Sequence, residues 1–177
     1  MTDPREYVSA ETTKSGLPVT IRALHDDDRE KVAAAIRGLD RASIYLRLFS
    51  YRGELTEAAL DRVMRFDAAS EIVLLATVRV DGDERVIGSA RYVVDSPGVA
   101  EVAFVVEEDY HGQGIASHLL RHLARVARGQ DIHTFEADVL ADNKAMQAVF
   151  VRTGWVTRSR REDGAVHITM RLPDDLG

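Results

Sequence analysis

The sequence predicts an α/β fold in which a mixed, mostly antiparallel sheet of about six or seven strands is flanked by helices. Three observations carry that expectation. The stretch 101–128, EVAFVVEEDYHGQGIASHLLRHLARVAR, changes its apolar rhythm midway. Val102, Phe104, Val105 and Val106 form a β-branched and aromatic run of strand length, whereas Ile115, Leu119, Leu123 and Val126 recur at helical spacing. Asp81-Gly82-Asp83 separates two strand-like runs, and Glu162-Asp163-Gly164 separates two more, so each marks an antiparallel hairpin. Helical stripes stand between these strand-rich parts.

Taken in chain order, residues 1–16 are polar and expected to form a flexible N-terminal segment, with 17–177 as a single domain. Pro18 to Ala23 alternates Val19, Ile21 and Ala23 as a short strand. Asp26, Asp27 and Asp28 then precede Val32, Ile36 and Leu39, an acidic start that suits a helix N-terminus. A second helical piece is expected over Asp40 to Leu48, and Thr56 reads as the N-cap of a helix over Glu57 to Arg65. Strands follow over Glu71–Val80 and Arg85–Val94, and Ser96-Pro97-Gly98 turns the chain into the strand that holds Glu101. Past the central helix come a strand over Thr134–Leu140, a helix over Asn143–Arg152, and a closing hairpin of Trp155–Arg160 with Val166–Leu172.

Composition narrows the chemistry. The 177 residues are 45% hydrophobic and 29% charged, which suits a globular chain with a real core. With no cysteine, disulfides, thiolate metal sites and cysteine nucleophiles are excluded. No signal-peptide core and no apolar run approaching about 20 residues is present, so the cytoplasm is the expected compartment, without membrane attachment. A net charge of −6 argues against nucleic acid and for cationic partners.

The strand-to-helix junction is where a ligand is expected. The first N–H groups of a helix lack partners and carry the positive end of its dipole, so they favour an anion. In the loop His111-Gly112-Gln113-Gly114-Ile115-Ala116, small residues leave those donors uncovered. No Gly-Lys-Ser/Thr follows, which disfavours a P-loop, and the loop follows three strands rather than the first, which disfavours a Rossmann dinucleotide site.

This loop resembles motif A of the GNAT superfamily of N-acetyltransferases, Gln/Arg-x-x-Gly-x-Gly/Ala, filled here by His111, Gly114 and Ala116. A second resemblance lies at Asn143-Lys144-Ala145-Met146-Gln147-Ala148-Val149-Phe150-Val151-Arg152-Thr153-Gly154-Trp155, which is similar to motif B of the same superfamily. Together they cover 18–172 of the chain. The resemblance implies a GNAT-like acyl-CoA N-acyltransferase fold with acetyl-CoA as co-substrate and no metal. It sets the coenzyme against Phe104, Val105 and Val106, the loop residues His111, Gly112, Gln113, Gly114, Ile115, Ala116 and Ser117, and Asn143 and Phe150. His111 stands where the superfamily usually has Gln or Arg, and Phe150 where many members have a proton-donating Tyr.

Ser43 to Leu55, SIYLRLFSYRGEL, is similar to a segment of bacterial protein-lysine acetyltransferases that walls the acceptor groove. Tyr45, Leu48 and Phe49 read equally well as core residues at helical spacing, while Arg47 among apolar neighbours calls for an anionic or carbonyl partner. This similarity implies a protein lysine as acceptor. A small amine (polyamine, amino acid or aminoglycoside) stays open, as does a non-catalytic acyl-CoA sensor. A homodimer is compatible with the sequence.

Acetyl transfer to a cationic amine requires removal of its proton. The lysine acetyltransferases that this chain resembles place a glutamate base where it has Glu101. Asp138, five residues before Asn143, competes for the role, because ribosomal-protein N-terminal acetyltransferases carry a glutamate base at the matching place. Glu136 shares its strand face. Tyr45 and Tyr51 are the remaining candidates for a proton donor, while His118, His122 and His133 read as surface or structural residues.

Overall fold

The computed structural model describes residues 3–38, 57–65, 67 and 69–176. Eight strands form one sheet: β1 (Val8–Thr12), β2 (Pro18–Ala23), β3 (Glu71–Val80), β4 (Asp83–Ser96), β5 (Val99–Val106), β6 (Thr134–Leu140), β7 (Val156–Glu162) and β8 (Ala165–Arg171). Their order across the sheet is β1-β2-β3-β4-β5-β6-β8-β7. Every neighbouring pair is antiparallel except β5 with β6, the parallel step spanned by the central helix.

The described helices lie on both faces. On one face, α3 (Ile115–Gly129) and α4 (Lys144–Arg152) close the larger core, in which Leu119, Leu120 and Leu123 meet Leu74, Ala90, Phe135 and Met170. On the other, α1 (Arg29–Arg37) and α2 (Glu57–Met64) cover a smaller cluster of Leu24, Val32, Leu60, Val73, Leu75 and Val86. Among the described residues, no helix is long and apolar enough to cross a membrane.

Both Asp-Gly hairpins form, with positive φ at Asp81 and Gly82 and again at Asp163 and Gly164, as a two-residue primed turn demands. Gly98, at φ 77°, closes the β4–β5 turn for the same reason and for a second one. A Cβ there would stand 2.3 Å from the His133 ring.

The N-terminal segment corrects an expectation. Residues 8–12, expected to be flexible, pair with β2 and bring the strand count to eight. Glu11 of this strand and the preceding Tyr7 are tied to the central helix. The buried His122 of α3 meets the Tyr7 hydroxyl at 2.5 Å and the Glu11 carboxylate at 2.7 Å. Burial lowers the His122 pKa. Burial would raise that of Glu11, but the hydrogen bond from His122 and the nearby His118 and Arg121 charges hold it below its ordinary value. The helical piece over Asp40–Leu48, the segment Ser43–Leu55 with Tyr45, Arg47 and Tyr51, and the cap Thr56 lie outside the described residues.

Candidate active site

The site begins with two strands that part. The parallel β5–β6 ladder runs only from Val99↔Thr134 to Glu101↔Glu136, although β5 continues to Val106 and β6 to Leu140. Beyond Glu101, β5 pairs with β4 alone, from Val102↔Tyr92 to Val106↔Gly88, and β6 with β8 alone. A wedge therefore opens between Val102–Val106 and the second half of β6. Backbone groups facing it have no ladder partner, and such groups require water or a ligand.

At the wide end stands the loop. A single 3-10 turn, Glu108–Tyr110, leads into Gly112 and Gly114, both in the left-handed region at φ 79° and 82°. Gly114 caps α3 without a side-chain hydrogen bond. The first amide answered within the helix is that of His118, which donates to the Gly114 carbonyl at 3.0 Å, so those of Ile115, Ala116 and Ser117 lack helical partners. A Cβ at Gly112 or Gly114 would meet nothing within 4 Å, so these glycines leave free space rather than relieve crowding. That open space lies at the positive end of a 15-residue helix, an end that favours an anion. Gln113 ties the loop to the N-terminal hairpin, its Oε1 accepting from Ser15 Oγ at 2.9 Å, while Ile115 is buried and anchors the helix start.

The other expected coenzyme contacts are placed as follows. The His111 ring is exposed and its Nε2 donates to the Val106 carbonyl at 2.6 Å, turning the imidazole back onto the end of β5. Asn143 is the N-cap of α4, its Oδ1 accepting from the Met146 amide at 3.1 Å. Phe150 is 1% exposed and meets Phe104 edge-on with ring centroids 5.9 Å apart. Phe104 thus fixes the middle of β5 to α4.

The narrow end is acidic. Side chains alternate along strands, so Glu101, Ala103 and Val105 share the face of β5 opposite to α3, and Glu136 and Asp138 share that face of β6. Glu101 and Glu136 are register partners, a juxtaposition of like charges that weakens a sheet. Glu101 is exposed, yet its carboxyl is pushed up from its ordinary pKa, first by partial desolvation at the sheet surface and then by Asp138, Asp95 and Glu136, with His167 acting the other way. Asp138 is differently placed. Its Oδ1 accepts from His167 Nδ1 at 2.8 Å across the β6–β8 pair. The two carboxylates named from the sequence therefore stand in one neighbourhood, and His167 joins them unannounced. Its signal, a histidine at an outward position of the last strand, acquires meaning only through the register with Asp138. Further along the same face, the cluster under α1 and α2 leaves an apolar cavity lined by Leu24, Val32, Ile36, Val63, Val105 and Glu107.

The profile described as "Acetyltransferase (GNAT) family" matches residues 41–155. Acetyltransferase PA5475 of Pseudomonas aeruginosa is 31% identical over 163 residues, which span 92% of this chain and 87% of that protein. Acetyltransferase Pat of Mycolicibacterium smegmatis is 37% identical over 131 residues, 72% of this chain but 37% of that longer protein. The crystal structure of the GNAT domain of S. lividans PAT superposes with a TM-score of 0.81 at 30% identity, covering 93% of this chain and 97% of that one.

Proposed function

The chain belongs to the GNAT family of acetyltransferases, and on that premise we propose that it carries the acetyl group of acetyl-CoA to a primary amine, a protein lysine side chain in first place, with Glu101 as the base. The observation that carries this reading is the wedge between β5 and β6, which has the uncovered amides of the α3 start at its wide end and a carboxylate at its vertex. The CoA diphosphate lies on the amides of 112–117, and the pantetheine arm bonds the backbone of Val102–Val106 as a surrogate strand.

The chain's own residues then act in sequence. The outward carboxylates Glu101, Glu136 and Asp138, with Asp95 near them, attract a cationic acceptor. Glu101, whose raised pKa makes it a better base than a solvated glutamate, takes a proton from the ammonium directly or through water. The freed amine attacks the thioester carbon, a β5 backbone N–H on the wedge side stabilises the charge growing on the carbonyl oxygen, and the C–S bond breaks toward the CoA sulfur. Phe150 is buried and has no acidic proton, so the sulfur leaves as thiolate or takes its proton from elsewhere.

A lysine acceptor is supported by the similarity of Ser43–Leu55 to bacterial protein-lysine acetyltransferases. The same carboxylates would draw a polyamine or an aminoglycoside, and that second reading rests on them alone. The reaction is placed in the cytoplasm, where acetyl-CoA and reduced conditions suit a chain without cysteine. A panel of lysine peptides and small amines, read by thiol release from acetyl-CoA, tests all of this. Release with lysine peptides supports the first reading, and release with polyamines alone moves the assignment to small amines. A protein that binds acetyl-CoA yet releases no thiol with any amine is a binding module.

A further inference from the structure

We propose that His167, held by Asp138, acts through Glu101, relaying the acceptor's proton from that carboxylate to solvent. The inference rests on the reading of Glu101 as base. Its geometry comes from three register pairs. Glu101 faces Glu136, Glu136 faces Thr169, and Asp138 faces His167, all on the outward face of β5, β6 and β8. Had the β5–β6 ladder continued past Glu101, Ala103 would stand opposite Asp138. The Asp138–His167 pair therefore borders the wedge one step beyond its vertex, on the side across from β5.

The hydrogen bond fixes the imidazole's chemistry. An ionised carboxylate only accepts, so the Asp138 Oδ1 contact at 2.8 Å puts a proton on His167 Nδ1 and leaves the Nε2 lone pair free in the neutral ring. Both side chains are partly open to solvent, at 32% for His167 and 43% for Asp138, so the ring can exchange protons with water. The pair supports no core. The buried residues of β8 are its alternate positions Val166, Ile168 and Met170. Around His167, Asp138 stands opposite on β6 with Glu136 diagonal to it, Arg160 stands opposite on β7 and is ion-paired to Glu162 at 3.4 Å, Arg158 faces the neighbouring Thr169, and the Glu101 carboxyl of β5 is near enough to interact with the ring.

The reaction has use for such a group. A lysine ammonium holds its proton with a pKa of about 10.4, a free imidazole with about 6.5 and a glutamate with about 4.3. An imidazole is the side chain suited to carry a proton between a carboxylate and water near neutral pH. The proton leaves the acceptor nitrogen, passes through Glu101 or a bridging water to Nε2, and departs to solvent. The amine lone pair so freed forms the C–N bond, the C–S electrons go to the coenzyme sulfur, and the second proton that the nitrogen sheds on becoming an amide goes to that sulfur or, where the sulfur leaves as thiolate, to solvent. Nothing is oxidised or reduced.

The test compares wild type, His167→Gln, Asp138→Asn and Glu101→Gln, with a lysine peptide and spermidine each as acceptor and acetyl-CoA binding as control. His167→Gln should lose about 100-fold in kcat/KM near neutral pH with acetyl-CoA affinity unchanged. The deficit should shrink as the pH approaches that of the ammonium, and added imidazole should restore part of the rate. Asp138→Asn should lose less, about tenfold, and His167→Gln made in a Glu101→Gln background should cost little more. A His167→Gln rate within about twofold of wild type overturns the relay, as does a deficit equal at every pH and indifferent to imidazole. Should the variant fail to fold, the wild-type ring decides by two-bond nitrogen–proton correlation: an Nδ1-protonated tautomer is expected, and an Nε2-protonated one overturns the proposal. Undiminished activity in Glu101→Gln overturns the base assignment and the relay with it, whereas loss confined to His167→Gln and Asp138→Asn alone would leave the ring as base without Glu101, and so overturn the relay but not the enzyme reading.

Discussion

The two ends of β5 offer different chemistry from one strand. Its C-terminal end opens into Gly112 and Gly114 and the amides of α3, a feature made of backbone in which side chains matter chiefly by their absence. Its N-terminal end carries Glu101 beside Glu136, with Asp138 and His167 across the wedge, a feature made entirely of side chains that meet through strand pairing. The first end suits a ligand portion that never varies, the diphosphate of a coenzyme. The second suits the portion that must be chosen and deprotonated. On this account the two ends fail separately, with substitutions in the loop striking affinity for the coenzyme and those on the outward face striking turnover.

The sharpest way to break that division is Glu101→Gln. It should lower kcat by about 100- to 1,000-fold while calorimetry finds CoA affinity unchanged, as loss of a general base requires. An equal loss of CoA affinity would merge the two ends. Gly114→Val comes next. A β-branched side chain at φ 82° costs about 1–2 kcal/mol in backbone strain, and its atoms enter the space left open at the cradle. The expected result is a CoA dissociation constant raised about tenfold or more, with kcat at saturating coenzyme much less affected.

A smaller effect concerns pH. Because partial desolvation and three neighbouring carboxylates raise the Glu101 pKa, kcat/KM should fall with decreasing pH through a value above the ordinary glutamate range, and this limb should vanish in Glu101→Gln. The linkage sign gives a companion result. A carboxyl whose pKa rises on folding stabilises the fold below its unfolded pKa, and that contribution is lost as pH rises through the folded one. Glu101→Gln should therefore melt slightly higher than wild type at neutral pH, a gain measurable by calorimetry and absent in acid. Smallest is Asn143→Ala. It removes an N-cap worth about 1 kcal/mol, so the melting temperature should drop by a few degrees while CoA affinity stays within about threefold. A larger loss of affinity would make Asn143 a coenzyme contact as well as a cap.

The same division separates what is legible in the sequence from what is not. The cradle, both hairpins and the helix start at Asn143 are local features, with signals written within a few consecutive residues, and the sequence alone announces them. Strand β1 escapes such a reading because its Glu11 finds a partner on α3: Glu11 and His122 lie 111 positions apart, and composition cannot report such a contact. The Asp138–His167 pair, 29 positions apart, depends on the register of β6 against β8, and a slip of one residue would turn the two side chains to opposite faces. The end of the β5–β6 ladder at Glu101 has no sequence signal, since Val102–Val106 reads as an ordinary buried strand. Glu101 and Asp138 are identifiable in the sequence as carboxylates of interest only by resemblance, and their separate surroundings emerge only from the fold.

Amide hydrogen exchange with and without CoA tests the central claim most directly. The account predicts slowed exchange in two blocks, Val102–Val106 along the wedge and 112–117 at the start of α3, with the outward residues of β8 little changed. Protection confined to other parts of the sheet, or no protection at coenzyme concentrations that support turnover, would contradict it.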